Sequence, residues 1–275
     1  MQIRIFDVEH GFCAIITSDA GQLTLIDCGH SVQRFSPSLY FRLNGIREID
    51  RLIISNYDED HISDLPDVRR QVNIPALYRN NTITAAELRA IKAQGGQISH
   101  GMSSLLDMIG TYVYDVSWDP LGSGFEFQCF FNPYPVFEDT NNLSVVTFIH
   151  YRDINIVFPG DLEEAGWQML LLNPQFRAHL ERTTLFVASH HGRRNGYCPE
   201  VFRHCHPELV ILSDHNIRYE TQEFDYGPVA SGAWVGNKMR WVLTTRRDGD
   251  IFIAQDAYGP RSIHTFQRST PVTRF

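Results

Sequence analysis

The sequence predicts an α/β fold in which two mixed sheets pack face to face with helices outside both. Strand patterns occur in two blocks along the chain, and helical patterns accompany each block. This order is neither a regular alternation of strands and helices nor a run of strands alone, so a layered two-sheet arrangement fits it better. No Pro-, Gly- or Ser-rich linker separates the blocks. We therefore expect a single domain over residues 1–275, built of halves that cover approximately 1–125 and 126–275.

The first block contains short apolar runs that turn residues delimit. Its predicted strands cover residues 2–17 (two strands that meet at His10-Gly11), 23–28, 51–55 and 74–78. Its predicted helices cover residues 36–44, about 62–71, 83–94 and about 103–109. Asn44-Gly45 and Gly95-Gly96 end two of these helices, because glycine and asparagine readily adopt the conformation that follows a helix.

The second block is richer in strands. Its predicted strands cover residues 126–131, 144–151, 154–159, 184–188, 208–213, 241–245 and 250–254. Its predicted helices cover residues 162–172 and about 199–204. Residues 215–238 are rich in Gly, Tyr and Asp and indicate a loop or a small insertion. The turn residues 247–250 predict a hairpin between the last two strands.

The composition is that of an ordinary globular protein, with 43% hydrophobic and 20% charged residues. The formal net charge of −8 gives the protein no overall electrostatic attraction for nucleic acid, so binding of a polyanion would need a local basic patch. The five cysteines are scattered and odd in number, which favours a reducing cytosol. No signal sequence and no apolar stretch of about 20 residues is present, so we expect a cytoplasmic protein without a membrane span.

Polar side chains with metal-binding donors follow several of the apolar strands. In residues 52–65, LIISNYDEDHISDL, a buried strand is followed within six residues by Asn56, Asp58, Asp60 and His61. Other such positions are Asp7, Asp27, Asp161, His190 and His191. Crowded acidic groups need a counter-ion, and a divalent cation on loops held by rigid strands supplies one. The alternatives are a solvated acidic turn at 52–65 and a helix N-cap at Asp161.

Seven segments occur in an order that is similar to a known family. They read DVEHGFCA (7–14), LIDCG (25–29), IISNYDEDHI (53–62), NNLSVV (141–146), FPGDLE (158–163), SHHG (189–192) and PELVILS (207–213). This series resembles the metallo-β-lactamase fold and, within it, the hydrolase-like domain of the competence protein ComEC. The resemblance implies a four-layer αββα sandwich and a metal-dependent hydrolase. Asn56 and Asp58 stand where the family signature has histidines, and Arg193-Arg194 stand where it has small residues.

These residues predict a metal site with a hard ligand set. The predicted ligands are Asn56, Asp58, Asp60, His61, Asp161, His190 and His191. Amide and carboxylate in place of imidazole favour Mn²⁺ or Mg²⁺ over the Zn²⁺ that histidine-rich sites prefer. We expect two divalent ions, Mn²⁺ or Zn²⁺ with Mg²⁺ also possible, and the resemblance implies that Asp161 bridges them. The catalytic candidates are Asp60, which can orient a water or accept its proton, and His191.

The substrate predicted for this site is an anion, because arginines follow the His-His-Gly turn. The predicted substrate-binding residues are Asn142, Ser144, Arg193 and Arg194, with Arg218, Arg246 and Arg247 as further candidates for the same rim. For Arg246 and Arg247 we favour solvated loop charges. A second cluster, Cys198, His204, Cys205 and His206, lacks the spacing of a closed zinc site and reads more simply as core cysteines and helix-face histidines.

The leading hypothesis is a phosphodiesterase or nuclease that acts on nucleic acid or nucleotides through a dinuclear metal site. A hydrolase of another ester, such as a lactone or a thioester, is the second hypothesis, because one fold hosts several reactions. The third is a degenerate, non-catalytic binding module, which Asn56 and Asp58 favour. A separately encoded protein partner is also possible.

Overall fold

The computed structural model describes residues 1–112, 125–215 and 221–267. The strands are β1 Gln2–Ile5, β2 Ala14–Thr17, β3 Leu23–Ile26, β4 Arg51–Ile53, β5 Leu77–Tyr78, β6 Glu126–Phe131, β7 Val145–Tyr151, β8 Ile154–Phe158, β9 Leu185–Val187, β10 Leu209–Leu212, β11 Ala233–Val235, β12 Lys238–Arg240, β13 Val242–Thr244, β14 Asp250–Ala254 and β15 Ser262–Phe266. The helices are α1 Pro37–Leu43, α2 Glu59–Ile62, α3 Leu65–Gln71, α4 Ala85–Gln94, α5 His100–Thr111, α6 Glu164–Leu170, α7 Pro174–Arg182, α8 Glu223–Tyr226 and α9 Thr245–Asp248. Three 3₁₀ segments cover Ser189–Gly192, Arg194–Gly196 and Pro199–Arg203. No helix in these described ranges is long and apolar enough to cross a bilayer.

The strands form two mixed sheets and one separate hairpin. The first sheet has the order β15-β14-β1-β2-β3-β4-β5, and the second has the order β13-β10-β9-β8-β7-β6. Parallel pairs join β3, β4 and β5 in the first sheet and β8, β9, β10 and β13 in the second, whereas the other pairs are antiparallel. Strands β11 and β12 pair with each other as a two-stranded hairpin. The prediction of two mixed sheets is therefore confirmed.

Three hydrophobic layers hold the elements together. Between the sheets, side chains such as Ile5 and Ile53 from the first sheet pack with Ile156 and Ile211 from the second. Outside the first sheet a second core includes residues of α1, α3, α4 and α5. Outside the second sheet a third core includes Trp167 of α6 and residues of α7 and α8. The layer order is thus αββα, as the sequence resemblance implied.

One predicted helix begins later than predicted, and a separate short helix precedes it. The sequence predicts a helix over about 62–71, but α2 ends at Ile62 and α3 begins at Leu65. Pro66 lies in the first turn of α3. A proline inside a continuous helix would remove a hydrogen bond and clash with the preceding turn, whereas it is tolerated in the first turn. The short α2 therefore carries Asp60 and His61 as a separate turn between β4 and α3.

In the C-terminal part of the chain the structure differs from several sequence predictions. The predicted hairpin around residues 247–250 is wrong, because β13 pairs with β10 in the second sheet and β14 pairs with β1 in the first. Strands β14 and β15 also complete the first sheet, so the sheets do not correspond to halves divided near residue 125. The predicted loop or small insertion at 215–238 contains α8 and most of the β11–β12 hairpin, and α7 was not predicted. Apolar periodicity identifies a strand but not the sheet that it joins, which explains the wrong hairpin.

Candidate metal centre

The loops after β4, β8 and β9 bring four predicted ligands together. Asp60 and His61 lie in α2 after β4, Asp161 follows β8, and His191 follows β9. The candidate ligand atoms of these four side chains all lie within 4.8 Å of one another. All of them except Asp60 are buried, and Asp60 is partly exposed. We call these four residues the metal cluster.

Asp27, at the end of β3, orients His61. The Nδ1 atom of His61 lies 2.8 Å from Asp27 Oδ2, and its Nε2 atom lies 3.1 Å from Asp161 Oδ1. The backbone amide of Ser55 donates to Asp27 Oδ1 at 2.7 Å, and the Ser55 hydroxyl donates to Asp27 Oδ2. A carboxylate that accepts from one imidazole nitrogen leaves the other nitrogen available as a metal ligand. The sequence singled out Asp27 only as a strand-end aspartate, without this role.

His191 presents one nitrogen to the cluster and uses the other for anchoring. Its Nδ1 atom donates to the carbonyl oxygen of Ser213 at 2.9 Å. Its Nε2 atom lies 3.2 Å from Asp60 Oδ2 and 3.5 Å from Asp161 Oδ2, but it makes no well-formed hydrogen bond among the described residues. A buried imidazole nitrogen that faces two carboxylates without a hydrogen bond fits the donor side of a metal site.

The charges of the cluster also fit a divalent cation. Burial lowers the pKa of His61, but Asp161 and Asp27 outweigh this effect and raise that pKa well above its usual range. Burial likewise opposes protonation of His191, but Asp161 and Asp60 raise its pKa to about 9. Burial raises the pKa of Asp161, yet His191 and His61 hold it well below its usual range. The four donors, two carboxylates and two imidazoles, therefore fit one divalent ion, whose charge replaces that of the two protons.

Asn56 and Asp58 lie outside the metal cluster. The Asn56 amide donates to Ser144 Oγ at 3.1 Å and to Asn141 Oδ1 at 3.2 Å, so it links the β4 loop to the segment before β7. Asp58 forms an ion pair with Lys92 of α4. The structure thus gives these two predicted ligands hydrogen-bonding and charge partners of their own, which the local sequence spacing could not indicate.

His190 also lies beside the cluster rather than within it. Its Nε2 atom accepts from Arg193 Nη1 at 2.8 Å and lies 3.9 Å from Asp161 Oδ2, while its Nδ1 atom lies 3.6 Å from Glu163 Oε1. His190 and His191 both have positive φ values, 49° and 56°. Such conformations are sparsely populated by residues other than glycine and concentrate at functional sites. The two left-handed residues turn the chain so that His191 enters the cluster.

A cavity of about 370 Å³ lies next to the metal cluster, and His191 belongs to its wall. The other lining residues are Val8, Glu9, His10, His30, Arg193, Asp214, His215 and Thr221. His10 Nε2 lies 3.1 Å from both Asp60 Oδ2 and Arg193 Nη2. Burial, with a further contribution from His191, lowers the pKa of His10 to about 4, so this histidine is neutral at pH 7. Of these lining residues the sequence singled out His191 and Arg193 as site residues, and it missed the histidines contributed by separate loops.

Several predicted substrate-binding residues have structural contacts instead. Asn142 is buried and accepts from the Gly166 amide at 2.9 Å, and buried Ser144 accepts from the Asp161 amide at 3.1 Å. These hydrogen bonds hold the loops that present Asp161, and a role of the two residues in substrate binding stays a prediction. Arg194 is exposed and does not line the cavity.

The further basic candidates that the structure describes, Arg246 and Arg247, pair with acidic side chains. Arg246 pairs with Asp214 at 3.3 Å and with Glu223, and Arg247 pairs with Glu223 at 2.8 Å. Arg218 lies outside the described residues.

Cys198 and Cys205 are buried in the outer core of the second sheet, and among the described residues they form no metal-binding group with His204 or His206.

Gly11 allows the backbone of Asp60 to approach closely. A Cβ atom at Gly11 would lie 2.2 Å from the Asp60 carbonyl oxygen, and Gly11 has φ +120°. We expect Gly11→Ala to lower the free energy of unfolding by about 2–4 kcal/mol, because left-handed strain and overpacking add. Gly21→Ala is the matched control, since Gly21 has φ +81° with nothing near its Cβ position. Urea denaturation of both variants measures the difference, and equal losses would contradict the proposed close contact.

Comparison with known proteins places the chain in a family. The sequence model of the metallo-beta-lactamase superfamily matches residues 6–186, which is more than half of the chain. This match includes Asp60, His61 and Asp161 and ends before His191. None of the curated protein sequences compared with the chain matches it.

Solved structures show weaker similarity. A proposed metal-dependent hydrolase from Parabacteroides distasonis is 12% identical with a TM-score of 0.47, and the alignment covers 87% of this chain and 91% of that one. A proposed Zn-dependent hydrolase of the metallo-β-lactamase superfamily from Thermotoga maritima is 11% identical with a TM-score of 0.44, covering 88% and 97%. A diphosphatase of the PhnP family is 12% identical with a TM-score of 0.43, covering 90% and 85%. These values are too low to indicate a shared activity, so the assignment rests on the sequence match: the chain belongs to the metallo-beta-lactamase superfamily.

Proposed function

We propose that this member of a hydrolase superfamily is a metal-dependent phosphodiesterase that acts on nucleic acid or nucleotides. The observation that carries the proposal is the shared wall between the metal cluster and the cavity. His191 belongs to both, and Arg193 and three further histidines line the same cavity. A guanidinium beside a metal-binding cluster suits a phosphate group, which carries negative charge and several acceptor oxygens.

Asp60, His61, Asp161 and His191 are the residues that would hold the ion. When it is bound, a divalent cation supplies Lewis acidity that neutralises charge developing on a phosphoryl oxygen. Two imidazoles and two carboxylates suit Mn²⁺ or Zn²⁺. These four donors account for one ion. The second ion predicted from the sequence remains a prediction, and it would have to draw on His190 or on residues that now have other partners, such as Asp58.

Other residues of the chain position the reacting groups. Asp27 holds His61 so that its Nε2 atom faces Asp161, and the Ser213 carbonyl holds His191 so that its Nε2 atom faces Asp60. Arg193 donates to His190 and to His10 along the cavity wall, and we propose that its guanidinium also donates to a phosphate oxygen of the substrate. Asp60 is the only partly exposed carboxylate among the four donors, so it remains our candidate for orienting a water molecule or accepting its proton.

The alternatives predict different outcomes of one experiment. The protein is purified without chelator, its metal content is measured, and Mn²⁺-dependent hydrolysis of a chromogenic phosphodiester, a lactone and a DNA strand is compared. Phosphodiester or DNA cleavage supports the proposal, whereas lactone cleavage alone favours another ester hydrolase. No bound metal and no Mn²⁺-dependent shift in melting temperature would favour a non-catalytic module. The hydrogen bonds of Asn56 and the ion pair of Asp58 would agree with that outcome, because they engage two of the predicted ligands.

Substitution of Arg193 tests whether this side chain recognises a phosphate group of the substrate. We expect Arg193→Ala to lower kcat/KM for a phosphodiester by at least about 10-fold, because the loss of a charge-assisted hydrogen bond removes about 1.5–3 kcal/mol. Hydrolysis of a neutral ester should change less. Arg194→Ala is the control, since Arg194 is the exposed neighbour and does not line the cavity. An equal effect of both substitutions would place phosphate recognition elsewhere.

The finer predictions from the sequence remain proposals. The specific resemblance to the hydrolase-like domain of ComEC, the cytoplasmic location and a separately encoded protein partner belong to this group. Cell fractionation tests the location, and co-purification from the native source tests the partner.

A further inference from the structure

A second group of metal-binding side chains lies on the outer face of the second sheet. Glu126 of β6 pairs directly with His150 of β7, which in turn pairs with Asn155 of β8. Residues that pair directly across neighbouring strands project to the same face of the sheet. Helix α7 covers this face and adds His179 from its last turn. The strand register therefore assembles the group.

The hydrogen bonds of His150 leave one nitrogen available for a metal. Its Nδ1 atom lies 2.9 Å from Asn155 Oδ1, and because a carbonyl oxygen only accepts, Nδ1 carries the proton. The Nε2 atom of His150 therefore carries a lone pair, and it accepts from His179 Nδ1 at 3.0 Å. This is the arrangement of a ligating histidine, in which an oxygen acceptor fixes the ring through the second nitrogen.

Glu126 completes the group with one of its two oxygens. Its Oε1 atom lies 3.8 Å from His179 Nδ1, while its Oε2 atom accepts from Arg182 at 2.7 Å. The donor atoms of Glu126, His150 and His179 all lie within 4.8 Å of one another. Burial lowers the pKa of both histidines below its usual value, so the imidazoles are neutral at pH 7, as metal binding requires.

We propose that Glu126, His150 and His179 form a second metal site, selective for Zn²⁺ and similar late first-row divalent ions. Two nitrogens bound tetrahedrally to zinc lie about 3.3 Å apart, so the observed separation needs only a small adjustment. On binding, the proton of His179 moves from Nδ1 to Nε2, so both imidazoles stay neutral. Two imidazoles and one carboxylate leave a fourth position for a water molecule. Arg182 keeps its ion pair with Glu126 Oε2, the carboxylate oxygen that does not bind the metal.

This site is separate from the metal cluster. Ser144, which contacts Asp161, precedes β7, whereas His150 lies near the other end of that strand, roughly 20 Å away along an extended chain. Strand β6 is an edge strand of the second sheet, and a zinc ion on Glu126 and His179 would join this edge to α7. The site would therefore stabilise the fold, and hydrolysis would not depend on it.

Zinc titration by calorimetry, together with melting temperature, tests the proposal. Wild type should bind zinc at two independent sites, and His179→Ala and Glu126→Gln should each weaken only one of them by at least about 10-fold. His61→Ala should remove the other site and leave the Glu126–His150–His179 site unchanged. The zinc-dependent rise in melting temperature should be smaller in His179→Ala than in wild type, because binding to the folded state stabilises it.

His204→Ala is the matched control, because His204 is half-buried, lies 3.9 Å from Glu181 and is not part of a three-donor group among the described residues. It should bind zinc as wild type does. The proposal is overturned if His179→Ala and Glu126→Gln both keep wild-type affinity and stoichiometry. It is equally overturned if His204→Ala weakens binding as much as they do, since zinc would then be binding surface histidines in general.

Discussion

Asp161→Asn is expected to abolish divalent-metal uptake by the metal cluster and to lower hydrolysis by at least about 10³-fold. Asp161 is buried and lies within 3.5 Å of both His61 and His191, so it is the carboxylate that connects the two imidazoles. Asparagine keeps the size of the side chain but removes the charge. Loss of a Lewis acid removes several kcal/mol of transition-state stabilisation, which corresponds to this factor. Metal analysis after dialysis and phosphodiester turnover measure the two effects.

Asp58→Asn is the matched control for this prediction. Asp58 is an aspartate of the same signature stretch, but it pairs with Lys92 rather than with the cluster. We expect the variant to keep the ion bound by Asp60, His61, Asp161 and His191. If Asp58→Asn loses metal while Asp161→Asn keeps it, the cluster is wrongly assigned and the ligand set predicted from sequence spacing is the better one.

Asp27→Asn is expected to lower metal affinity by about 10–100-fold, although Asp27 is not one of the four ligands. An asparagine amide would present a donor to His61 Nδ1, so the proton would move to Nε2 and occupy the lone pair that faces Asp161. Substituting the residue that hydrogen-bonds to the second nitrogen of a ligating histidine typically weakens metal binding by this factor. Asp27 has φ +55°, which asparagine also tolerates, so the substitution tests the hydrogen bond rather than the backbone.

Asp64→Asn separates this effect from a general loss of stability. Asp64 is also a buried aspartate, and it accepts from the Ser36 hydroxyl at 2.9 Å and from the Ser38 amide at 2.8 Å. Both substitutions should lower the free energy of unfolding by about 1.5–3 kcal/mol, because each weakens hydrogen bonds to a charged group. Only Asp27→Asn should change the metal dissociation constant. If Asp64→Asn changes it as much, the effect on metal binding reflects stability alone.

The architecture of this protein is largely readable from its sequence, because strands with both faces covered are nearly continuous apolar runs. Strand β4 and the acidic turn after it are an example, and so is β9 with its His-His-Gly turn. The ordered motifs then indicate that these strand ends meet. The sequence does not indicate that His191 rather than His190 enters the cluster, because the left-handed conformation of both residues decides which ring faces it.

The remaining features depend on contacts between distant parts of the chain. No local signal indicates that Lys92 of α4 pairs with Asp58, or that His10 and Arg193 meet on one cavity wall. The same is true of β13 and β14, which follow each other in sequence but join different sheets. Periodicity predicts the presence of an element, whereas its partner is decided by packing over the whole fold.

The position of β1 has a consequence for biosynthesis. This strand lies inside the first sheet, and one of its two neighbours is β14, so Gln2 pairs with Ala254. During translation the backbone of β1 on that side has no partner until β14, about 250 residues later, has left the ribosome. An exposed strand edge is a template for pairing with other chains. Among the four ligands His191, after β9, is synthesised last, so the metal cluster also cannot form until long after β1 has been made.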